Sequence, residues 1–242
     1  MDTSVVRVSE TLHTARFMCT TDQDQNQIAT FYAGAMAEAP GSTWPASPPA
    51  SASPRSSWSA PTTPAAMLRH TATAHRLGFP VAADPSQQLA RLDREQARQL
   101  VDGAPLAVHN EYEAALLQER TGWGEQDILD RVGTWITTLG EEGVSLARSG
   151  EPRLHVPAAP TDKIADPTGA GDAFRAGFLA GLAWELPTEQ AAQLGCALAT
   201  TVLESVGTQE YKLLASDLVT RLDTTYGHEV ARSVAPYLAG VS

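Results

Sequence analysis

Residues 164–186 read IADPTGAGDAFRAGFLAGLAWEL, and no other stretch limits the fold of this chain as strongly. A glycine-rich turn, Thr168-Gly169-Ala170-Gly171, opens into a helix beginning near Asp172 that carries Ala173, Ala176, Gly177, Ala180 and Gly181. Residues this small bury little surface by themselves; along one helix they predict very close packing against a neighbour. The next segment, PTEQAAQLGCALATTVLESVG, is equally rich in small residues and is the natural partner. The turn also has a chemical reading. Free amides of a first helical turn lie at the positive end of the dipole, and three small residues let a ligand approach them, so the turn suits a phosphate or an oxyanion. Asp172 has a plainer reading as an N-terminal helix cap. Gly-x-Gly before a helix is also common to many dinucleotide-binding folds.

The rest of the chain supplies the frame for such a turn. Val5 to Tyr32 has strand-like density broken by the polar TDQDQNQ and predicts a hairpin or a pair of strands. Gly34 to Ala39 starts like a helix, and AAMLRHTATAHRLG is a helix ended by Gly78. FPVAADP is a short apolar strand stopped by Asp-Pro. Asp93 caps DREQARQLVDG, with Gln96 completing a capping box and Gly103 at the stop. APLAVHN and TWITTLG predict buried strands, NEYEAALLQERTGW and DILDRVG helical pieces, and EEG a turn into VSLAR. Strand-helix-strand units with short loops imply an α/β fold with a mostly parallel sheet covered by helices on both faces. Ligands of such sheets sit where the loops leave the carboxyl ends of the strands.

Charge and composition exclude several functions. With 17 Lys and Arg against 28 Asp and Glu, the net charge of −11 repels phosphate backbones and argues against a nucleic-acid partner. No apolar run reaches the length of a membrane span, and the first residues lack a basic stretch followed by an apolar one, so a cytoplasmic protein is expected. Cys19 and Cys196 fit no metal or redox spacing and are expected as buried, reduced thiols, and the scattered histidines offer no zinc pattern.

DPTGAGDAFRAGF at 166–178 resembles the signature of the ribokinase-like (phosphofructokinase-B type) family of sugar and nucleoside kinases. NEYE at 110–113 resembles that family's Asn-x-x-Glu motif and TLGEEG at 138–143 its ATP-site turn, in the same order. ARFMCTTDQDQNQIATFYAGAM and AADPSQQLARL are most similar to the bacterial adenosine kinase branch. The resemblance implies a doubly wound sheet with a remnant of a β lid, and three parts: 1–40 as lid and acceptor-side strands, 41–64 as an aberrant segment, 65–242 as the catalytic core. It implies transfer of phosphate from ATP to the 5′-hydroxyl of a nucleoside, adenosine foremost. A sugar acceptor, or a truncated chain that only binds nucleotide, is the alternative. Asp172 would be the base, with the amides of Gly169, Ala170 and Gly171 as the oxyanion cradle. Asn110 and Glu113 would hold Mg2+ through water, and Thr138, Gly140 and Gly143 would line the nucleotide. Phe17 and Phe31 would stack on a purine, and Gln87 and Gln88 would contact the nucleoside. A K+ ion beside the anion loop is implied near Asp166, Thr168, Val202 and Gly207, and pairing of two copies through the lid is implied as well. The resemblance begins after the family's first strand, aspartate and glycine pair, which leaves substrate binding without its usual partners.

The segment from Gly41 to Pro64 departs from this pattern, since 17 of its 24 residues are Pro, Ser or Ala. Such a composition predicts a stretch that is disordered or poorly packed, without a catalytic role, and unable to supply a central strand. If its codons end in G or C, regrouping each third base with the next two turns Thr43 to Pro64 into approximately D-L-A-R-V-A-A-R-V-G-V-P-A-L-V-L-V-G-A-D-D-P. That reading is an amphipathic helix, a buried strand LVLVG and a turn. An out-of-frame segment is therefore expected here.

Overall fold

The structure, a computed structural model, describes residues 6–22, 27–42, 57–59 and 61–239. Contacts gather into two compact units, Met1–Trp135 and Ile136–Ser242.

The first unit opens with the expected hairpin. Strands β1 (Arg16–Thr21) and β2 (Gln27–Tyr32) pair antiparallel, with Phe17 opposite Phe31 and Thr20 opposite Ile28. A 3-10 turn over Gly34–Gly41 follows. Strand β3 (Ser57–Ser59) lies parallel to β4 (Val81–Ala83), with Ser57 aligned to Val81 and Ser59 to Ala83. The expectation is that this segment supplies no central strand, and among the described residues β3 stands at the edge of the sheet. Ladder hydrogen bonds come from backbone, so three residues between Pro54 and Pro61 still pair at the sheet's edge. Residues 43–56 and 60 of that segment lie outside the described residues.

Helix α1 (Pro64–Arg76) starts with proline at its first position, where the missing N–H costs nothing. Helix α2 (Arg94–Val101) has the expected capping box. Gln96 N–H donates to Asp93 Oδ1 at 2.9 Å, and Asp93 N–H to Gln96 Oε1 at 3.1 Å. Strand β5 (Leu106–Asn110) lies parallel to β4 and runs into α3 (Glu111–Thr121), which is followed by α4 (Glu125–Leu129). Val81, Ala83, Leu89, Leu100, Ala107, Leu117 and Ile128 form the buried core of this unit. The order within it is β3-β4-β5-β6, where β6 (Thr134–Thr138) carries the division between the units.

The second unit continues from β6 through a tight turn into β7 (Val144–Ala147) and the antiparallel β8 (Leu154–Val156). Helices α5 (Ala170–Ala183) and α6 (Thr188–Leu203) pack as their small residues predict. A Cβ added to Gly177 would sit 2.9 Å from Gly195 Cα, and one on Gly181 2.7 Å from Ala191 Cα, distances no real side chain tolerates. Helices α7 (Ala215–Tyr226) and α8 (His228–Val234) cover α6, burying Leu194 and Ala197 with Leu218, Leu222, Val230 and Val234. Cys196 is buried as expected, and burial pushes its thiol up to about 12; Cys19 is only partly covered. Among the described residues no helix is long and apolar enough to cross a membrane.

Candidate functional site

In the first unit, the carboxyl ends of two adjacent parallel strands converge on one carboxylate. Asn110 ends β5 and caps α3, its Oδ1 accepting from Glu113 N–H at 2.8 Å, while Glu113 Oε2 accepts from Asn110 N–H at 2.9 Å. The loop after β4 supplies the other hold, because Ser86 Oγ donates to Glu113 Oε1 at 2.9 Å. Glu113 is thereby buried at 7% exposure with both oxygens engaged. A carboxylate has about four lone-pair sites, so each oxygen keeps room for a water-bound cation. Among the described residues no three His, Cys, Asp or Glu side chains are grouped for direct metal ligation. Glu113 therefore fits magnesium through water and not as part of a cage of side chains.

The other acceptor-side residues separate by exposure. Phe17 and Phe31 are cross-strand partners on one face of the hairpin, 52% and 45% exposed, so they are not core residues. Their rings are open to a stacking ligand. Gln87 is exposed, whereas Gln88 is buried and its Oε1 accepts from Arg91.

In the second unit, Thr138 ends β6 and Leu139 N–H closes the turn on Gly143 O at 2.8 Å. Gly143 has φ +97, and a Cβ there would meet Val156 O at 2.1 Å, so the fold itself requires this glycine. Gly140, with φ +59, has open space on its Cβ side.

The anion loop is clasped from within. Asp166 Oδ1 accepts from Thr168 N–H at 2.9 Å and Oδ2 from Gly207 N–H at 3.0 Å, which ties the loop before α5 to the one after α6. The Thr168 hydroxyl, then the Thr168 and Gly207 amides, hold the Asp166 carboxyl below the usual aspartate range. The end of α6 is anchored in turn by Glu204, whose two oxygens accept from Arg221 at 2.8 Å. The Val202 carbonyl accepts from Ser205 N–H at 3.1 Å. The K+ ion is implied through backbone oxygens near these residues, which the bonds from the Thr168 and Gly207 amides to the Asp166 side chain do not occupy, and no step is routed through such an ion.

Gly169 precedes α5 with φ +88, and a Cβ there would press on Thr208 at 3.0 Å. Ala170 N–H bends to Pro167 O at 3.3 Å and Ala173 N–H makes the helical bond to Gly169 O at 2.9 Å. The amides of Gly171 and Asp172 are those a helix start leaves without a carbonyl in the preceding turn. No side chain among the described residues caps this start. Asp172 is 80% exposed, with Arg175 3.6 Å away. This sets aside the reading of Asp172 as a helix cap.

Sequence reasoning places Ser86 within the loop Asp84–Gln88 at a strand's carboxyl end, after an Asp-Pro turn, and gives it no role of its own. The capping box at 110–113 was written in the sequence as Asn-x-x-Glu, the same signature that marked Asp93 and Gln96.

Known proteins are similar to this chain in sequence and in fold. The chain is 28% identical over 230 residues to a nucleoside kinase of Methanothermobacter thermautotrophicus, covering 95% of this chain and 72% of that one. A nucleoside kinase of Methanocaldococcus jannaschii is 29% identical over 143 residues, an alignment that spans 47% of that protein. Among solved structures, the Burkholderia thailandensis nucleoside kinase in complex with inosine superposes with a TM-score of 0.86 at 30% identity, over 94% of this chain and 75% of that one. These likenesses establish the ribokinase-like α/β fold. Residues 1–214 match the pfkB family of carbohydrate kinases, and the chain belongs to that family.

Proposed function

We propose that the chain is an ATP-dependent kinase that transfers phosphate to the 5′-hydroxyl of a nucleoside, with adenosine as the first candidate. The carrying observation is the start of α5: an uncapped glycine turn with free amides and an exposed carboxylate at its third helical position. The likeness to a nucleoside kinase that holds inosine supports the acceptor class.

In this reading Asp172 accepts the proton of the 5′-hydroxyl as that oxygen bonds to the γ-phosphorus, and the bond from the γ-phosphorus to the bridging oxygen breaks to release ADP. The amides of Gly171 and Asp172, with the turn made by Gly169 and Ala170, stabilise the charge on the transferring phosphoryl group. Magnesium, held through waters on Glu113 beside Asn110, would neutralise phosphate charge. Thr138 and Gly140 border the nucleotide, and Gly143 shapes their turn. Phe17 and Phe31 sandwich or face the base, with exposed Gln87 the better placed of the two glutamines to reach a ligand. The opposite face of the hairpin exposes Met18, Ile28 and Tyr32, at 56%, 80% and 44%, which supports pairing of two copies there. A soluble protein of the cytoplasm suits this chemistry.

The test is ATP-dependent phosphorylation of adenosine, inosine, cytidine and ribose by the purified full chain, beside Asp172→Asn. Nucleoside monophosphate formed by the wild-type chain and lost in the variant is the expected result. Phosphorylation of ribose alone would return the acceptor to a sugar. Equal inertness of both chains, with ADP still bound, would establish a nucleotide-binding remnant.

A further inference from the structure

Ser86 combines two features that seldom occur together. Its φ of +46 places it in the left-handed region, which among the described non-glycine residues only Glu185 shares. It is also buried at 8% exposure. Glycine would occupy that backbone at lower cost, and would lack the hydroxyl. That hydroxyl lies 2.9 Å from Glu113 Oε1 and 3.0 Å from Gln87 Oε1. It has one hydrogen, both neighbours are acceptors, and the charged carboxylate takes the stronger bond. The other carboxylate oxygen is already fixed by Asn110 N–H.

We propose that Ser86 is a positioning residue, which holds the Glu113 carboxylate in one orientation for a magnesium–nucleotide; this rests on the kinase reading. A carboxylate bound only at Oε2 by Asn110 can turn about its terminal torsion, and a second hydrogen bond from an independent loop removes that freedom. Calorimetric titration of the full chain with ADP, with and without MgCl2, tests it on the wild type, Ser86→Gly and Ser86→Ala. The gain in ADP affinity conferred by magnesium should fall about tenfold to a hundredfold in both variants, the usual loss when a partner of a metal-holding group is removed. Thermal unfolding separates this from a merely structural role. Ser86→Gly relieves the left-handed backbone and should melt at or above Ser86→Ala, while losing the magnesium gain equally. A Ser86→Gly chain with the wild-type magnesium gain would overturn the assignment and leave the kinase reading intact. A wild-type chain that binds no ADP would overturn both.

Strand β3 carries a second inference. Its residues are Ser57, Trp58 and Ser59, polar and small at two of three positions, yet they pair in register with the buried Val81, Ala82 and Ala83 of β4. The regrouped codon reading places V-L-V at 57–59, so apolar letters, two of them β-branched, fall on the residues that form the strand. The regrouping used the genetic code with G or C at third positions, and the ladder used backbone alone. We infer that residues 41–64, as written, are read out of frame relative to a helix and strand that the shifted frame encodes. The gene sequence and the mass of the tryptic peptide ending at Arg69 test this. A peptide carrying Leu-Val-Leu-Val supports it. So does a peptide as written here, whose codons read in the shifted frame encode an apolar run at 56–59. A stop codon or charged residues at 56–59 in the shifted frame would overturn it.

Discussion

Helices α3 and α5 both begin with a carboxylate at the third helical position, and the two carboxylates do opposite things. In α3 the cap is Asn110, and Glu113 folds back onto it, so that two hydrogen bonds close the helix start and bury the side chain. In α5 the cap is Gly169, which has no side chain to offer, and Asp172 points outward at 80% exposure while the amides of the first turn stay open. A glycine cap does not by itself free the carboxylate three places on, since at α4 the extended Gly124 donates its N–H to Asp127 Oδ2 at 3.0 Å; at α5 the cap is the left-handed Gly169, and Asp172 stays outward. Helix polarity makes both starts favourable to anions, but only the second leaves donors for one.

Asp172→Asn should produce the largest effect. A general base contributes about 10²–10⁴-fold to turnover, so kcat for nucleoside phosphorylation should fall by that range. The melting temperature should barely move, because Asp172 caps nothing. A loss of stability matching that of a removed cap would make the two helix starts alike and break the contrast.

Gly169→Ala attacks the cap itself. The left-handed φ of +88 and the contact with Thr208 should together cost about 1–3 kcal/mol, read as a lower denaturant midpoint at constant slope. The KM for ATP should rise in the same variant as the cradle distorts. Unchanged stability would mean that the turn relaxes freely, and that glycine at this cap is dispensable.

The start of α5 was readable because small residues and a motif coincide at one place. The sheet strands were readable for a related reason: VAA and LAVHN are short apolar runs bounded by turn residues, and burial in a parallel sheet leaves no other face for them. Less was legible where the pattern is weak. Strand β8 is three residues long, and only the Ser149-Gly150 turn before it, with φ +74 at Gly150, announces a hairpin. Helices α7 and α8 follow the last motif and were not read, although Leu218 and Leu222 stand one helical turn apart on the face that meets α6. The exposure of Phe17 and Phe31 could not be foreseen, since their strands carry large apolar residues on both faces and no alternation tells inside from outside. Ser86 was hidden for a different reason: a left-handed serine and its bond to Glu113 are tertiary facts with no periodicity.

Asn110→Ala opens the closed start. Removing the cap should destabilise the chain by about 1 kcal/mol, and Glu113 should lose the geometry that its two partners impose. If Ser86 holds the carboxylate as well, the Asn110 and Ser86 variants should be non-additive in a double-mutant cycle on stability. Additive losses would show two independent bonds on one side chain.

The smallest effect concerns the clasp behind the open start. Asp166 ties Thr168 to Gly207, and the hydrogen bonds it accepts hold its carboxyl below the ordinary aspartate value of 3.8. A native pKa lower than the unfolded one means that the charged form favours folding. That contribution is complete above the unfolded value and is lost as pH falls through the native one. Asp166→Asn keeps the shape and removes the charge, so at pH 7 it should melt below the wild type. The gap should narrow only below about pH 4, as the wild-type carboxyl takes up its proton. Glu204 is lowered as well, since burial raises it but the bonds from Arg221 and Thr161 outweigh burial. It titrates equally in both chains and cancels in the difference. A gap that stays constant down to pH 2 would mean that Asp166 acts through shape alone, and that the loop before α5 owes nothing to the carboxylate's charge.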